Sequence, residues 1–97
     1  KPDILLMDEP YGQLDVELRF RLEDELIKLW KKLGTTVIFI THNIEEAVYL
    51  SENVLVLTNK PTSIKKKLEN TLPRPRSVVA PEFIELRNQV TELIKWW

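Results

Sequence analysis

The sequence predicts an α/β fold, a parallel sheet flanked by helices, and three observations carry that prediction. The run Ile4-Leu5-Leu6-Met7 is apolar and ends on Asp8-Glu9-Pro10, as a buried strand ends where a polar loop begins. Leu18, Leu22, Leu26, Leu29, Trp30 and Leu33 then recur at steps of three and four residues, the spacing of one helix face. A second apolar run, Thr36 to Ile40, follows and stops at Thr41-His42. Strand, helix and strand in this order are the ingredients of a parallel crossover.

Each element carries local signals. Asp15 is a suitable N-cap for the long helix, and Gly34 stands just past its last periodic residue, where a left-handed cap is wanted. Asn43 with Glu46 at the third helical position approximates a capping box and opens a short helix to about Leu50. Asn53 to Asn59 reads as a third strand, expected in the same parallel sheet. Pro81 fits the first turn of a last helix, with Phe83, Leu86, Val90, Leu93, Ile94 and Trp97 along one face. Trp30, Trp96 and Trp97 read as core or interface fillers. No internal repeat is visible.

The chain of 97 residues suffices for one small domain with a modest core. With no cysteine it has neither disulfides nor thiolate metal sites, which fits a reducing compartment. No apolar run approaches the roughly 20 residues of a membrane-spanning helix, and no secretory signal pattern opens the sequence. Membrane association would therefore come through a partner.

The net charge of −1 hides an uneven distribution. Residues 1–59 hold six basic and eleven acidic side chains, whereas residues 60–76 hold six basic and one acidic. Composition thus marks a boundary near Lys60-Pro61 and divides the chain into 1–59, a basic strand and Pro-rich linker over 60–80, and an amphipathic helix over 81–97. A cluster such as Lys65-Lys66-Lys67 can bind nucleic acid or anionic lipid. It also reads as a solvated edge strand, since edge strands commonly carry Lys. No aromatic is interleaved with the charges as a single-strand binder would prefer, so no nucleic-acid partner is expected.

Chemistry gathers at the strand ends. In open α/β sheets ligands bind beyond the C-terminal ends of the strands, and here those ends carry Asp8-Glu9 and Thr41-His42, with Asp15 after a short loop. Two adjacent acids can divide the work of phosphoryl transfer, one holding Mg²⁺ and the other orienting or deprotonating the attacking water. Duller readings exist for each residue: an acid pair starting a loop, a helix-capping Asp15, a surface His42. His42 is the sole histidine and precedes a helix N-terminus, whose partial positive charge favours a nearby phosphate.

Taken together, these residues resemble the ATP-binding cassette (ABC) ATPases. Asp8-Glu9-Pro10 looks like the Walker B motif with its catalytic glutamate, Tyr11-Gly12-Gln13-Leu14-Asp15 like the D-loop, and Thr41-His42 like the switch histidine. The run from Thr41 to Leu50, then Val54-Leu55-Val56-Leu57 and Leu72-Pro73-Arg74-Pro75-Arg76, is similar to importer ATPases of the nitrate, sulfonate and taurine group. The resemblance implies an incomplete P-loop NTPase (RecA-like) sheet and ATP and Mg²⁺ as cofactors. It implies Asp8 as a Mg²⁺ ligand through water, Glu9 as polariser of the hydrolytic water and His42 as donor to the γ-phosphate. Asp15 would reach into the partner cassette and couple two composite sites. The implied partners are a second ATP-binding subunit, transmembrane permease subunits and a periplasmic or extracellular substrate-binding protein. The implied location is the cytoplasmic face of the plasma membrane, held peripherally.

Two family motifs are missing. The phosphate cradle GxxxxGK(S/T), whose backbone N–H groups and lysine hold the β- and γ-phosphates, cannot be assembled from a chain whose glycines are Gly12 and Gly34. The LSGGQ signature is also absent. Both precede Walker B in the family, so the chain reads as the C-terminal portion of a longer protein and is expected to be inactive alone. Gln13 and Asn43 depart from the importer pattern, which usually has a small residue and Asp there. Asn caps as well as Asp, whereas Gln13 bears on D-loop geometry.

The family's topology places the phosphate-loop strand between the histidine-bearing strand and the strand that begins at Asn53. Without it, Val37 to Ile40 should pair directly with Val54 to Leu57 or leave backbone groups unpaired, with marginal stability and aggregation as the consequence. Two other readings remain. A non-transport cytosolic ABC ATPase would keep the chemistry, although Tyr11 to Asp15 does not resemble the PTNHLD-like D-loop of the translation group. An inactive α/β interaction fragment would explain the missing cradle but leave the ordered motifs as coincidence.

Overall fold

The computed structural model describes residues 4–57 and 63–95. The described elements are β1 (Ile4–Asp8), α1 (Val16–Leu33), β2 (Thr36–Ile40), α2 (Ile44–Leu50), β3 (Asn53–Leu57), β4 (Ile64–Glu69) and α3 (Pro81–Lys95). The end of the expected third strand at Thr58-Asn59, the Lys60-Pro61 step, Trp96 and Trp97 lie outside the described residues. The chain forms two compact units, Lys1–His42 and Asn43–Trp97.

In the first unit β1 and β2 pair in parallel, in register from Ile4 opposite Thr36 to Asp8 opposite Ile40. Helix α1 connects them and begins and ends where its caps dictate. The Asp15 carboxylate accepts from Leu18 N–H at 2.9 Å, and Gly34 takes the left-handed conformation, φ 67°, while its N–H donates to Trp30 O at 2.9 Å. The expected apolar face of α1 is only partly covered. Leu29 and Leu33 remain exposed, and the fully buried side chain of α1 is Glu23, with Arg19 Nε 3.9 Å from its carboxylate. Two strands spaced about 4.8 Å apart offer too narrow a floor for a helix of this length.

The second unit holds the core. All six buried apolar side chains among the described residues, Val48, Tyr49, Val54, Val56, Phe83 and Val90, belong to it. The alternation of β3 supplies Val54 and Val56 to the inside and Leu55 and Leu57 to the outside. On α3, Phe83 and Val90 are buried and Leu86, Leu93 and Ile94 half-buried, the face expected from their spacing.

One expectation is corrected here. The third strand does not extend the parallel sheet. β3 pairs antiparallel with β4, from Asn53 opposite Glu69 to Leu57 opposite Ile64, as a separate two-stranded sheet. A partner a few residues away closes a short loop at small entropic cost, whereas β2 and β3 have no strand to bridge them. Of the two outcomes foreseen for the missing strand, the structure takes the second: among the described residues β2 pairs with β1 alone. Lys65-Lys66-Lys67 lies in β4, an edge strand, and Lys65 Nζ donates to Leu93 O on α3 at 2.6 Å. No described helix is long and apolar enough to cross a membrane.

Candidate functional site

The C-terminal ends of β1 and β2 bring Glu9 and His42 together within the first unit. Pairing in register to Asp8 opposite Ile40 leaves Glu9 and Thr41-His42 as the first residues beyond the sheet. The Glu9 N–H still donates to Ile40 O at 2.7 Å, which ties the loop to the neighbouring strand. Glu9 then turns into the left-handed region, φ 46°. For a residue with a Cβ this conformation costs of order 1–3 kcal/mol and persists where surrounding contacts impose it.

Those contacts converge on one oxygen. Glu9 Oε1 accepts from the backbone N–H of His42 at 2.9 Å and also contacts His42 Nδ1. A ring nitrogen facing a carboxylate carries the proton and donates it, so Nδ1 is the protonated position and Nε2 points away from the pair. His42 is almost fully exposed, which leaves Nε2 open to a ligand. The hydrogen bonds from the His42 side chain and, secondarily, from its backbone hold the Glu9 carboxyl below its usual 4.5. Glu9 Oε2 takes part in neither bond and remains able to accept from a water.

The other expected residues stand nearby in the chain with different occupations. Asp8 ends β1 with an exposed side chain. Asp15 is committed to the α1 cap. Between them Gly12 N–H donates to Glu9 O at 3.4 Å and Leu14 N–H to Tyr11 O at 3.2 Å, folding the segment into successive turns. The Tyr11 ring packs against Phe39 of β2, centroids 5.8 Å apart. Tyr11 thus anchors the loop to the sheet.

Among the described residues no group of three or more His, Cys, Asp or Glu side chains is placed to hold a metal ion. A single exposed carboxylate such as Asp8 suits Mg²⁺, which keeps several waters and takes one or two carboxylates together with substrate phosphates. The chain does not provide a phosphate cradle, so the donor set present is half of a site.

The strand-end placement of Glu9 and His42 follows from the sequence, whereas the left-handed Glu9 and the sharing of one oxygen by two donors do not. Nor do the roles of Asn70, Arg74 and Arg76 in the second unit, whose side chains donate to the C-terminal carbonyls of α2. The available signal was the lack of any basic residue in the last turn of α2, whose first turn carries Glu45 and Glu46.

A parallel strand pair with an acid pair at one strand end and a histidine at the next gathers its polar side chains where open α/β sheets bind ligands. The chain is homologous to part of the ABC transporter ATP-binding proteins. It is 46% identical over 94 residues to an uncharacterized ABC transporter ATP-binding protein of Methanocaldococcus jannaschii, covering 97% of this chain and 35% of that protein. It is 44% identical over 91 residues to an aliphatic sulfonates import ATP-binding protein of Bacillus cereus, covering 94% of this chain and 36% of that protein. The chain therefore spans little more than a third of the length of these relatives. No family model matches it.

Proposed function

We propose that this chain is the Walker B, D-loop and switch-histidine part of the ATP-hydrolysing subunit of an ABC importer for a small anion such as a sulfonate, nitrate or taurine. The observation that carries the reading is the Glu9–His42 pair at the ends of adjacent parallel strands, in a segment homologous to ABC transporter ATP-binding proteins. The name of the Bacillus cereus relative supports a sulfonate as the substrate class.

The residues then take these roles. Asp8 holds Mg²⁺ through water, and the metal, when bound with ATP, offsets the charge of the phosphates. Glu9, pinned through Oε1, presents Oε2 to the hydrolytic water and orients it. His42 directs Nε2 toward the γ-phosphate. It donates there when both ring nitrogens carry protons. Asp15 fixes the start of α1 and reaches the partner cassette. The phosphate loop and signature segment come from polypeptide beyond these 97 residues, with a second ATP-binding subunit, permease subunits and a substrate-binding protein completing the transporter at the cytoplasmic face of the membrane.

The test is Glu9→Gln in the longer polypeptide that carries this chain. ATP binding is expected to persist while hydrolysis falls by about 10²- to 10⁴-fold, the range for loss of a positioned general base. Turnover within a few fold of the parent would overturn the assignment of Glu9. A second reading, an inactive α/β fragment, is favoured for the isolated 97 residues by the missing cradle. The two separate by sequencing the DNA upstream of Lys1 for an in-frame GxxxxGK(S/T) and LSGGQ-like segment.

A further inference from the structure

Within the first unit, Glu9 and Tyr11 are attached to consecutive residues at the end of β2. The Glu9 N–H donates to Ile40 O at 2.7 Å, and the Tyr11 ring lies against Phe39, centroids 5.8 Å apart and planes tilted at 42°. Phe39 stands opposite Met7 in register and both are half-buried, whereas Ile38 and Ile40 on either side of Phe39 are exposed. The chain that leaves β1 therefore passes the end of β2 at Ile40 and comes back onto the covered side of the strand pair, where Tyr11 is itself half-buried.

Doubling back within two residues requires a break from the extended path of β1, and the left-handed Glu9, φ 46°, supplies it. A residue with a Cβ keeps that conformation only where the surrounding structure imposes it. Before Glu9 the bond to Ile40 does so. After it, Pro10 has no N–H to give, and the bond from Gly12 N–H to Glu9 O, at 3.4 Å, is longer than an ordinary one. A Cβ at Gly12 would meet Glu9 O at 3.7 Å, an ordinary contact, so the turn does not depend on glycine there. That leaves Tyr11 as the attachment on this side, and aromatic pairs at this spacing and tilt are favourable beyond the area they bury.

We propose that Tyr11 is a positioning residue for Glu9: its ring, seated on Phe39, holds the left-handed turn that keeps Glu9 Oε1 on the His42 N–H and ring. Tyr11 acts through Glu9 and takes no part in the reaction itself. The inference rests on the hydrolytic role proposed for Glu9, and its test reads geometry without nucleotide, so the two can fail separately.

Because His42 is the sole histidine, its imidazole signals in a ¹³C-edited spectrum are unambiguous. The nucleotide-free chain and its Tyr11→Ala, Tyr11→Phe and Glu9→Ala variants are compared at one neutral pH, with amide exchange of α1 followed in parallel. Tyr11→Ala is expected to move the His42 signals most of the way to their Glu9→Ala positions while α1 exchange stays as in the parent, and Tyr11→Phe, which keeps the ring, to leave them in place. Unmoved His42 signals in Tyr11→Ala would overturn the proposal. Tyr11→Phe signals displaced as far as those of Tyr11→Ala would overturn it too, since the ring on Phe39 would not then be what holds Glu9. Should Tyr11→Ala unfold the first unit, Tyr11→Leu, which keeps apolar bulk but no ring, is judged by the same two readouts. If the signals move as expected but Glu9→Gln leaves hydrolysis intact, the positioning stands and the reaction assigned to the site fails.

Discussion

His42 reaches Glu9 twice through one atom: its backbone N–H and its Nδ1 both meet Oε1, across 33 residues of sequence. A backbone donor and a ring donor on the same oxygen fix both the carboxylate and the imidazole without help from a buried environment.

The carboxyl of Glu9 is therefore expected to titrate below 4.5, chiefly through the His42 ring and then through its backbone N–H. A carboxylate with a lowered folded pKa adds stability above its unfolded pKa, and that contribution is lost as pH falls through the folded value. The window lies below pH 4.5. A ¹³C titration of the Glu9 side chain should place its carboxyl below 4.5, and His42→Ala should raise it. Because the backbone bond remains in that variant, the return toward 4.5 should be incomplete; an unchanged Glu9 titration would rule out the ring contact.

Asp15→Ala is expected to cost about 0.5–2 kcal/mol, because it removes the acceptor for Leu18 N–H at the start of α1. Gly34→Ala should cost about 1 kcal/mol for backbone reasons only: φ is 67°, yet nothing lies within 4 Å of the place a Cβ would occupy. Urea unfolding followed by far-UV circular dichroism measures both. A neutral Gly34→Ala would show that α1 does not end in a left-handed cap.

These two caps were legible in the sequence, as were the bounds of α2 at Asn43 and the Pro81 start of α3, because caps and turns depend on residues three or four positions apart. The pairing of β3 was not legible. Alternation of Val54 and Val56 with Leu55 and Leu57 states which face is buried, not which strand lies alongside, and β4 was the partner within reach. At the site, the order of Asp8, Glu9, Asp15 and His42 could be read directly. The left-handed turn at Glu9 could not, since it follows from Ile40 and His42 acting across the strand pair. Arg74 and Arg76 escaped for a like reason: their acceptors are carbonyls, which leave no trace in sequence.

Phe83→Ala should remove the cooperative transition of the second unit. Large-to-small changes of a buried aromatic cost about 3–5 kcal/mol, a large share of what a small domain has in total. Phe83 is 1% exposed and is the largest fully buried side chain described. The expected result is loss of near-UV signal and fast amide exchange across β3, β4 and α3, with Leu55→Ala, half exposed on the opposite face of β3, changing stability far less. Similar effects from the two substitutions would place the core elsewhere.

The outward face of the first sheet should govern how the isolated chain behaves in solution. Leu6 and Ile38 stand opposite one another in register and are 63% and 48% exposed, with Ile4 and Ile40 exposed beside them. An apolar face on a sheet with open edges invites a second copy to pair or stack. Replacing both Leu6 and Ile38 by Lys removes apolar surface that folding does not bury, so the unfolding free energy should fall by only about 0.2–1 kcal/mol, from the two like charges set directly opposite one another. Self-association should fall, because paired strands carrying unlike-shaped apolar side chains become strands bearing repelling charges. Light scattering across a concentration series reads this directly. A variant that remains as associated as its parent would locate the adhesive surface away from this sheet, and a variant that unfolds would show that the face is covered after all.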